Sequence, residues 1–506
     1  MKELREFEKI ATTLHANEIR DVYSRLSTSR KKSNSVKLIN TILLKKQFSV
    51  EDYQLKIYGK QNNLAFAKLV KRTFNKMLDV LAYRDNIEFN DAYDRRAKSI
   101  FLMERNLTLS GILRFRSNYN ISSKLLEKVI EQCKFYEHYN LLIYALDRKL
   151  KWLPVNASKK IRIDLDKEIS NYMYEGNYLK TAYELFSSVI RIKLYEYNEQ
   201  MRKDILRSIQ KLNLYVKKSN SVYFRYYLYY IKIQFFNCEN RSDKSLMLVN
   251  KLLNLISTNK SLNSRYKLGN AFLNRGLIYR LSFEFEKSID DIVEARKYLR
   301  DYVSINNAVY EEMFLSYFYL GQLNKIKYYI QFFEKEAKNL SSSIANIERI
   351  DFYISVFYTL EGRFKEAIKK LSSIQYSNAD EYLNLEIRIL TLINLIEVEN
   401  YDAADKAVVN FKKFITRAYN KRSKILVINQ KLNILSKLSA NGYDFIRTFN
   451  IKKVKAELIK LESEGFRFEQ FQLIIFHEWF ESKVKGIPYD HVEVMKRLKK
   501  QNKVKK

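Results

Sequence analysis

One residue pattern recurs four times between Leu268 and Phe411, and it constrains the fold more than any other feature of the chain. The clearest copy has five members: Tyr358, Gly362, Phe364, Ala367 and Leu371. The anchor positions of the four copies are 40, 39 and 37 residues apart, at Tyr279, Tyr319, Tyr358 and Leu395. Self-similarity at this period is typical of stacked helical repeats.

The scarcity of helix-breaking residues supports the same conclusion. The 506 residues include only 2 prolines and 10 glycines, although 46% are hydrophobic. Proline breaks helix interiors and glycine weakens them, so a chain with so few of both can be helical almost throughout. The sequence therefore predicts an all-α fold, an α-solenoid of antiparallel helix hairpins with helical caps at both ends.

The offsets within the pattern have a physical cause. A small residue on the second helix of a hairpin, such as Ala367 or Ala404, lets the two backbones approach. Gly321 and Gly362 stand where the first helix must end, in the left-handed conformation that glycine adopts most easily. The residues from Tyr172 to Leu185 match the pattern as well, with Gly176 in the turn position, so we expect a hairpin there too.

This pattern resembles the tetratricopeptide repeat, most clearly over residues 268–411, through Asn274, Gly276, Tyr279 and the segment from Gly362 to Ala367. The chain departs from that family in its longer period and in lacking the closing proline. The resemblance implies a scaffold that binds an extended peptide or helix on its concave face. The residues that it places there are Asn270, Asn274, Arg280, Tyr310 and Phe314. The overall layout is also similar to that of bacterial tetratricopeptide-like proteins of about this length, which implies no activity.

Residues 1–90 are predicted to form an N-terminal helical unit. Ser49 is expected to cap a helix that ends near Gly59, and Asn62 or Asn63 to cap the next, which runs to Tyr83. A short helix, a polar turn and a longer basic helix outline a helix-turn-helix, although a capping unit on a helical array has the same outline. The outward cations of the longer helix are Lys68, Lys71, Arg72 and Lys76, which are candidate phosphate contacts.

The repeat array is predicted over residues 91–440, with an internal break at Pro154, after which Ser158 or the following lysines are expected to begin the next helix. Its tyrosine-rich segment from Val222 to Tyr230 has too many rings for one helix face. We therefore expect some of them to point outward beside Arg225, where they could line a groove or contact nucleic acid. Residues 441–506 are predicted to be a helical cap, with helices at 451–462, 470–484 and 490–499 and a basic tail that follows.

Charge and targeting signals bear on partners and location. The formal net charge is +34, which suggests a polyanionic partner, although the excess is spread over all three predicted regions and also fits a basic, solvated surface. Cys133 and Cys238 stand far apart, which favours reduced thiols in a cytoplasmic protein. The first residues carry no signal-peptide pattern, and no apolar run is long enough to span a membrane.

No motif for catalysis is present. His477-Glu478 begins like a zinc-protease motif, but position 481 is Glu where the second histidine ligand is required. The glycines are too scattered for a phosphate-binding loop, and the four histidines are dispersed. We therefore expect neither enzymatic activity, nor a metal, nor a cofactor.

Two hypotheses about function remain at this stage. The first is a non-catalytic helical-repeat scaffold that binds a protein or peptide partner on its concave face. The alternative is a nucleic-acid-binding regulator that uses its basic surface and the helix-turn-helix-like helices of the N-terminal unit. The two differ in salt dependence, because phosphate contacts release counterions and weaken steeply as salt rises. The sequence does not indicate an oligomeric state.

Overall fold

The computed structural model describes residues 2–11, 16–26, 33–43, 48–83, 95–192, 197–299, 303–340, 344–374, 381–418, 426–448, 454, 456 and 473–504. Within these ranges every regular element is an α-helix. The chain divides into two compact units, residues 1–90 and residues 91–506. Each unit is described by itself below.

The described residues of the first unit form five helices around one apolar core. Its helices are α1 (Lys2–Ala11), α2 (Ala16–Leu26), α3 (Asn34–Leu43), α4 (Val50–Tyr58) and α5 (Asn63–Tyr83). Ser49 caps α4 as predicted, in a reciprocal capping box with Asp52, and Gly59 ends the helix with a φ of 72°. The side-chain oxygen of Asn62 accepts a hydrogen bond from the Ala65 amide at the start of α5, which confirms Asn62 as the cap.

The second unit is a series of helices that pack mainly on their neighbours in sequence. The helices up to the middle of the unit are α6 (Arg95–Phe115), α7 (Tyr119–Tyr136), α8 (Tyr139–Lys151), α9 (Lys159–Ile190), α10 (Glu199–Lys218), α11 (Val222–Cys238), α12 (Ser242–Thr258), α13 (Arg265–Leu281) and α14 (Phe285–Leu299). The later helices are α15 (Val303–Tyr319), α16 (Leu323–Leu340), α17 (Ile344–Leu360), α18 (Phe364–Ser372), α19 (Glu381–Glu397), α20 (Tyr401–Ala418), α21 (Leu426–Ala440), α22 (Phe445–Thr448), α23 (Phe476–Val484) and α24 (His491–Val504).

Four hairpins of this array, α13–α14 through α19–α20, share one turn. In each, a residue with positive φ follows the first helix, and the next amide bonds back to a carbonyl five residues earlier. The bonds are Glu284 to Tyr279 (2.9 Å), Gln322 to Tyr317 (3.1 Å), Arg363 to Tyr358 (2.8 Å) and Asn400 to Leu395 (3.0 Å). This is the hydrogen bond of a Schellman motif, which satisfies the last carbonyls of a helix. The predicted glycine turns are confirmed at Gly321 (φ 68°) and Gly362 (φ 73°), while Phe283 and Glu399 hold the same conformation elsewhere.

The turn geometry corrects one anchor of the predicted register. Tyr317, and not Tyr319, supplies the carbonyl equivalent to those of Tyr279 and Tyr358. In the second helix of this hairpin, the position that carries a small residue in the other copies is occupied by Ile326, which is fully buried. A register counted from Tyr319 would place Tyr328 there, but Tyr328 is 59% exposed. The sequence pattern placed the anchor two residues too late because Tyr317 and Tyr319 are both aromatic.

The hairpin predicted around Gly176 is wrong. Helix α9 continues without a break from Lys159 to Ile190, so Gly176 lies inside it. A Cβ at this position would lie 3.2 Å from the Cβ of Tyr139. The glycine therefore serves the close approach of α9 to α8, not a turn. Ser158 caps the start of α9 as predicted.

The C-terminal residues share a core with the array. Trp479, Phe480 and Met495 belong to the same apolar cluster as Phe318 and Leu435, so this core continues across residue 440. Two predicted helix bounds are wrong: α23 begins at Phe476, not at residue 470, and α24 continues to Val504, beyond residue 499. The helix predicted over 451–462 lies outside the described residues except for positions 454 and 456.

Candidate interaction surfaces

Three of the residues expected on the concave face are half-buried and take part in packing. The Asn274 amide donates to the Asn270 carbonyl one turn earlier in α13, at 2.8 Å. Tyr310 lies against Phe332, with ring centroids 4.1 Å apart, and its hydroxyl accepts a hydrogen bond from Arg296. These contacts account for the side chains of Asn274 and Tyr310, while Asn270 contributes its backbone carbonyl.

The other two expected concave-face residues are interior, so their prediction as exposed binding residues is wrong. Arg280 is 3% exposed, and its guanidinium donates to both carboxylate oxygens of Glu312, at 2.8 and 3.2 Å. Phe314 is fully buried, with its ring centroid 4.9 Å from that of Tyr353. Both side chains are covered because adjacent first helices approach each other along the surface that we expected to be open.

The Arg280–Glu312 pair belongs to a series of ion pairs between successive first helices. Arg280 of α13 pairs with Glu312 of α15, and Lys431 of α21 pairs with Glu386 of α19 at 3.4 Å. Between them, Arg349 of α17 lies 3.5 Å from Glu311 of α15.

Burial raises the pKa of Glu311, and the charge of Arg349 partly offsets that rise. Each carboxylate of this series thus has a cation on a neighbouring helix, an arrangement that can hold these helices in register. Sequence reasoning missed the series, although charged residues inside the otherwise apolar runs of α15, α17 and α19 were a visible signal.

The C-terminal helices cover part of this array. The Trp479 indole of α23 donates to Glu397 at the end of α19, at 2.7 Å. His491 of α24 donates from Nε2 to the Phe318 carbonyl at 2.9 Å, and burial lowers its pKa to about 4. Lys499 reaches Glu286 at the start of α14, at 2.6 Å. The C-terminal segment therefore packs on the array from α19 back to α14.

The tyrosine-rich helix α11 is buried on nearly all sides, which corrects the expectation that several of its rings face outward. Tyr223, Tyr226, Tyr227 and Tyr230 are at most 9% exposed. Burial raises the pKa of Tyr226 and of Tyr230 above the ordinary tyrosine value. Arg225 is exposed as predicted. A single helix can bury this many rings because α9, α10 and α12 surround it, as its contacts in one apolar cluster show.

A basic face of α5 is the one predicted surface that is fully exposed. Lys68, Lys71, Arg72 and Lys76 all face solvent, with Asn75 among them. None of the four cations forms an ion pair within the part of the chain that the structure describes. The buried Gln54 of α4 positions this helix, because its amide bonds to both Asn62 and Asn63 at 2.7 Å. The four cations thus lie on a helix whose N-terminus is held in place by α4.

Two further features of the described residues concern metal binding and membrane insertion. No three histidine, cysteine, aspartate or glutamate side chains are grouped there so that they could hold a metal ion. None of the described helices combines the length and the apolar character needed to cross a lipid bilayer.

The second unit is a tetratricopeptide-like α-solenoid, built of helix hairpins that share a turn and a packing register. No family model matches the chain, and no curated protein matches it. A comparison with solved structures matches the chain to a Signal Transduction ATPase with Numerous Domains (STAND) protein with a tetratricopeptide repeat sensor from Pyrococcus horikoshii. The two chains are 14% identical, with a TM-score of 0.28, and the match covers 90% of this chain and 65% of that one. This chain thus matches less than two thirds of that protein's length.

Proposed function

We propose that this protein is a non-catalytic helical-repeat scaffold that binds a protein partner on the exposed surface of helices α6–α9. The observation that supports this proposal is the concentration of exposed, large apolar side chains on these helices. They include Leu102, Ile112, Phe115, Ile121, Ile163, Met173, Tyr174 and Tyr183, which are between 42% and 95% exposed. Exposed apolar side chains concentrated in one region are typical of surfaces that bind other proteins.

Helix α9 offers the best-defined part of this surface. Ile163 and Tyr174 are three helical turns apart on the same face, with exposed fractions of 42% and 64%. Of the 32 residues of α9, only Leu165, Ile169, Ala182 and Val189 are buried. A partner helix that covers this face would bury apolar area that the chain itself leaves in water.

A capture experiment tests this proposal. The tagged full-length chain would be used to capture partners from its own cells, with and without nuclease, beside the variant Ile163→Glu/Tyr174→Glu. We expect a protein partner that survives nuclease and whose recovery falls at least ~10-fold with the variant, since two buried apolar contacts each contribute about 1–3 kcal/mol. The matched control is Tyr328→Glu, at an exposed tyrosine of α16. Equal capture by both variants would contradict the proposal.

The exposed cations of α5 favour a second candidate function, which is binding of duplex DNA. Lys71→Glu/Arg72→Glu should weaken binding of a fluorescent duplex at least ~10-fold and reduce the slope of affinity against salt, because fewer counterions are released. Lys211→Glu/Lys217→Glu, at exposed positions of α10, is the control with the same charge change. If both variants weaken binding equally, the effect reflects overall charge and the α5 face is not a specific site.

A further inference from the structure

Five side chains of α6–α9 alternate between aromatic rings and guanidinium groups in one continuous row. We call this set the arginine–aromatic row; its members, in spatial order, are Tyr119, Arg114, Trp152, Arg148 and Tyr144. The guanidinium carbon of Arg114 lies 5.1 Å from the ring centre of Tyr119 and 4.7 Å from that of Trp152. That of Arg148 lies 5.6 Å from Trp152 and 4.9 Å from Tyr144.

Hydrogen bonds between α6 and α8, and within α8, hold the row in place. Arg114 donates to the Trp152 carbonyl at 3.1 Å, which joins the end of α6 to the end of α8. Arg148 donates from Nη1 to the Leu107 carbonyl of α6 at 2.5 Å and from Nη2 to the Tyr144 hydroxyl at 2.7 Å. Both cations are therefore positioned before any ligand arrives, which reduces the entropy lost on binding.

The positive charge of the row is not neutralised by the chain. Neither Arg114 nor Arg148 pairs with a carboxylate among the residues that the structure describes. Two carboxylates of the neighbouring helices have other partners: Asp147 of α8 pairs with Lys151, and Glu127 of α7 pairs with Lys149, each at 2.7 Å.

Further cations lie close to the row in sequence. Arg116 in the turn after α6, and Lys159 and Lys160 at the start of α9, are all exposed. They add positive charge to this part of the chain. The arginine–aromatic row is thus complementary to an anionic ligand.

The rings at the two ends of the row are open to solvent. Tyr119 is 55% exposed and Tyr144 is 51% exposed, while Trp152 between them is half-buried. Phe115, one residue from Arg114 in α6, is 95% exposed. Leaving the apolar surface of large rings exposed to water is unfavourable, and a ligand that stacks on the rings would bury that surface.

We propose that the arginine–aromatic row, whose five members are not among the residues named for the protein-binding surface or for the basic face of α5, binds single-stranded nucleic acid. Unpaired bases stack on Tyr119 and Tyr144, and the phosphates between them meet Arg114 and Arg148. Base–aromatic stacking and a cationic surface are the two elements that sequence-tolerant single-strand binding requires. Duplexes fit less well, because their base faces are already stacked on each other. An acidic protein segment could satisfy the charges but would leave the rings without stacking partners.

The test uses the full-length chain and a short fluorescein-labelled oligothymidylate. We expect binding at low salt that weakens steeply as salt rises, and at least ~10-fold weaker binding by Tyr119→Ala/Tyr144→Ala. Tyr119→Phe keeps the ring and should bind like the original chain. The matched control is Tyr328→Ala, since Tyr328 is 59% exposed, neighbours Lys327 and has no arginine stacked on it within the described part of the chain.

Tryptophan fluorescence supplies a second readout that does not depend on the alanine variants folding. The chain has two tryptophans, and Trp479 is 2% exposed, so quenching by the unlabelled oligonucleotide should come from Trp152 and be absent in Trp152→Phe. Equal binding by the Tyr119→Ala/Tyr144→Ala and Tyr328→Ala variants would overturn the proposal. So would equal competition by a duplex or by polyglutamate of the same length, because charge alone would then explain binding.

Discussion

Helices α6–α9 and helices α13–α20 follow the same principle of sequential packing, yet they differ in how completely they bury their apolar residues. In the later region three of the four hairpins pair helices of similar length, as in α13 with 17 residues and α14 with 15, while α17 has 17 residues and α18 has 9. In the earlier region α8 has 13 residues and its partner α9 has 32. A helix that is much longer than its partner cannot be covered by that partner along its whole length.

The consequence is a division of roles within one array. The later region contributes to a continuous core that also includes α23 and α24. The earlier region has a smaller core around Leu126, Leu142 and Leu165, and it leaves large rings such as Phe115 and Tyr174 in solvent. Both proposed surfaces of the array, for a protein partner and for single-stranded nucleic acid, lie in the region where packing is incomplete.

The largest effect should come from the buried charges of the later region. Arg280→Ala leaves the Glu312 carboxylate buried without its cation, and we expect the free energy of unfolding to fall by about 3–5 kcal/mol. Urea unfolding followed by circular dichroism measures this loss. Arg363→Ala is the control, because that side chain is 45% exposed in its ion pairs and its removal should cost far less stability. Similar losses for the two variants would show that the ion-pair series is no more important than a surface pair.

Acidification should affect both regions through buried histidines whose pKa is lowered, His138 in the earlier region and His491 against the later one. Burial lowers the pKa of His138 and of His491 to about 4 from the ordinary value of 6.5. Both are neutral in the folded chain, whereas the unfolded chain takes up protons near pH 6.5. Stability should therefore be complete above about pH 6.5 and be lost as the pH falls towards 4, by roughly 3 kcal/mol at most for His491.

Hydrogen exchange between pH 7 and pH 4.5 measures this loss in each region separately. His491→Gln keeps an N–H donor for the Phe318 carbonyl and should remove the acid sensitivity of α15 and α24 only. His138→Gln should do the same for α6 and α8. If either variant changed exchange in both regions equally, the two cores would have to unfold together.

The smallest expected effects come from replacing two glycines that lie inside helices, Gly276 in α13 and Gly176 in α9. A Cβ on Gly276 would lie 2.9 Å from Ile292 and 3.2 Å from the Ser288 carbonyl, so Gly276→Ala should cost about 1–2 kcal/mol through overpacking. On Gly176 the Cβ would meet only Tyr139, at 3.2 Å and 3.9 Å, and the better helix propensity of alanine should offset most of the strain. Thermal unfolding of both variants measures the difference. A larger loss at Gly176 would contradict the view that the earlier region is packed more loosely.

Local features were predictable because they depend on residues close in sequence. The caps at Ser49, Asn62 and Ser158 and the left-handed turns at Gly321 and Gly362 stand where the sequence predicts them. Each requires only a side chain or backbone conformation within a few residues of the helix end. The helical-repeat fold was predictable for the same reason, since a packing rule between adjacent hairpins recurs in the sequence at its own period.

Exposure was not predictable from the same pattern. Arg280 and Phe314 lie outside the helix face that packs within their own hairpins. The first helix of the following hairpin nevertheless covers both side chains. The number of sides on which a helix is covered, as in α11, depends on neighbours that one helix's sequence does not specify. The arginine–aromatic row was missed because its members come from α6, α7 and α8, and no short motif connects them.

The sequence by itself thus determined the helices, their turns and the repeat that stacks them, because these follow from short-range spacing. Only the tertiary structure decided which faces remain exposed. His491 bonds to Phe318 across 173 residues of chain, and Gly176 serves a close contact where its pattern indicates a turn. Long-range packing chooses among faces that the local pattern treats alike, so the basic face of α5 could be predicted from the sequence, whereas the two candidate surfaces of α6–α9 became visible only in three dimensions.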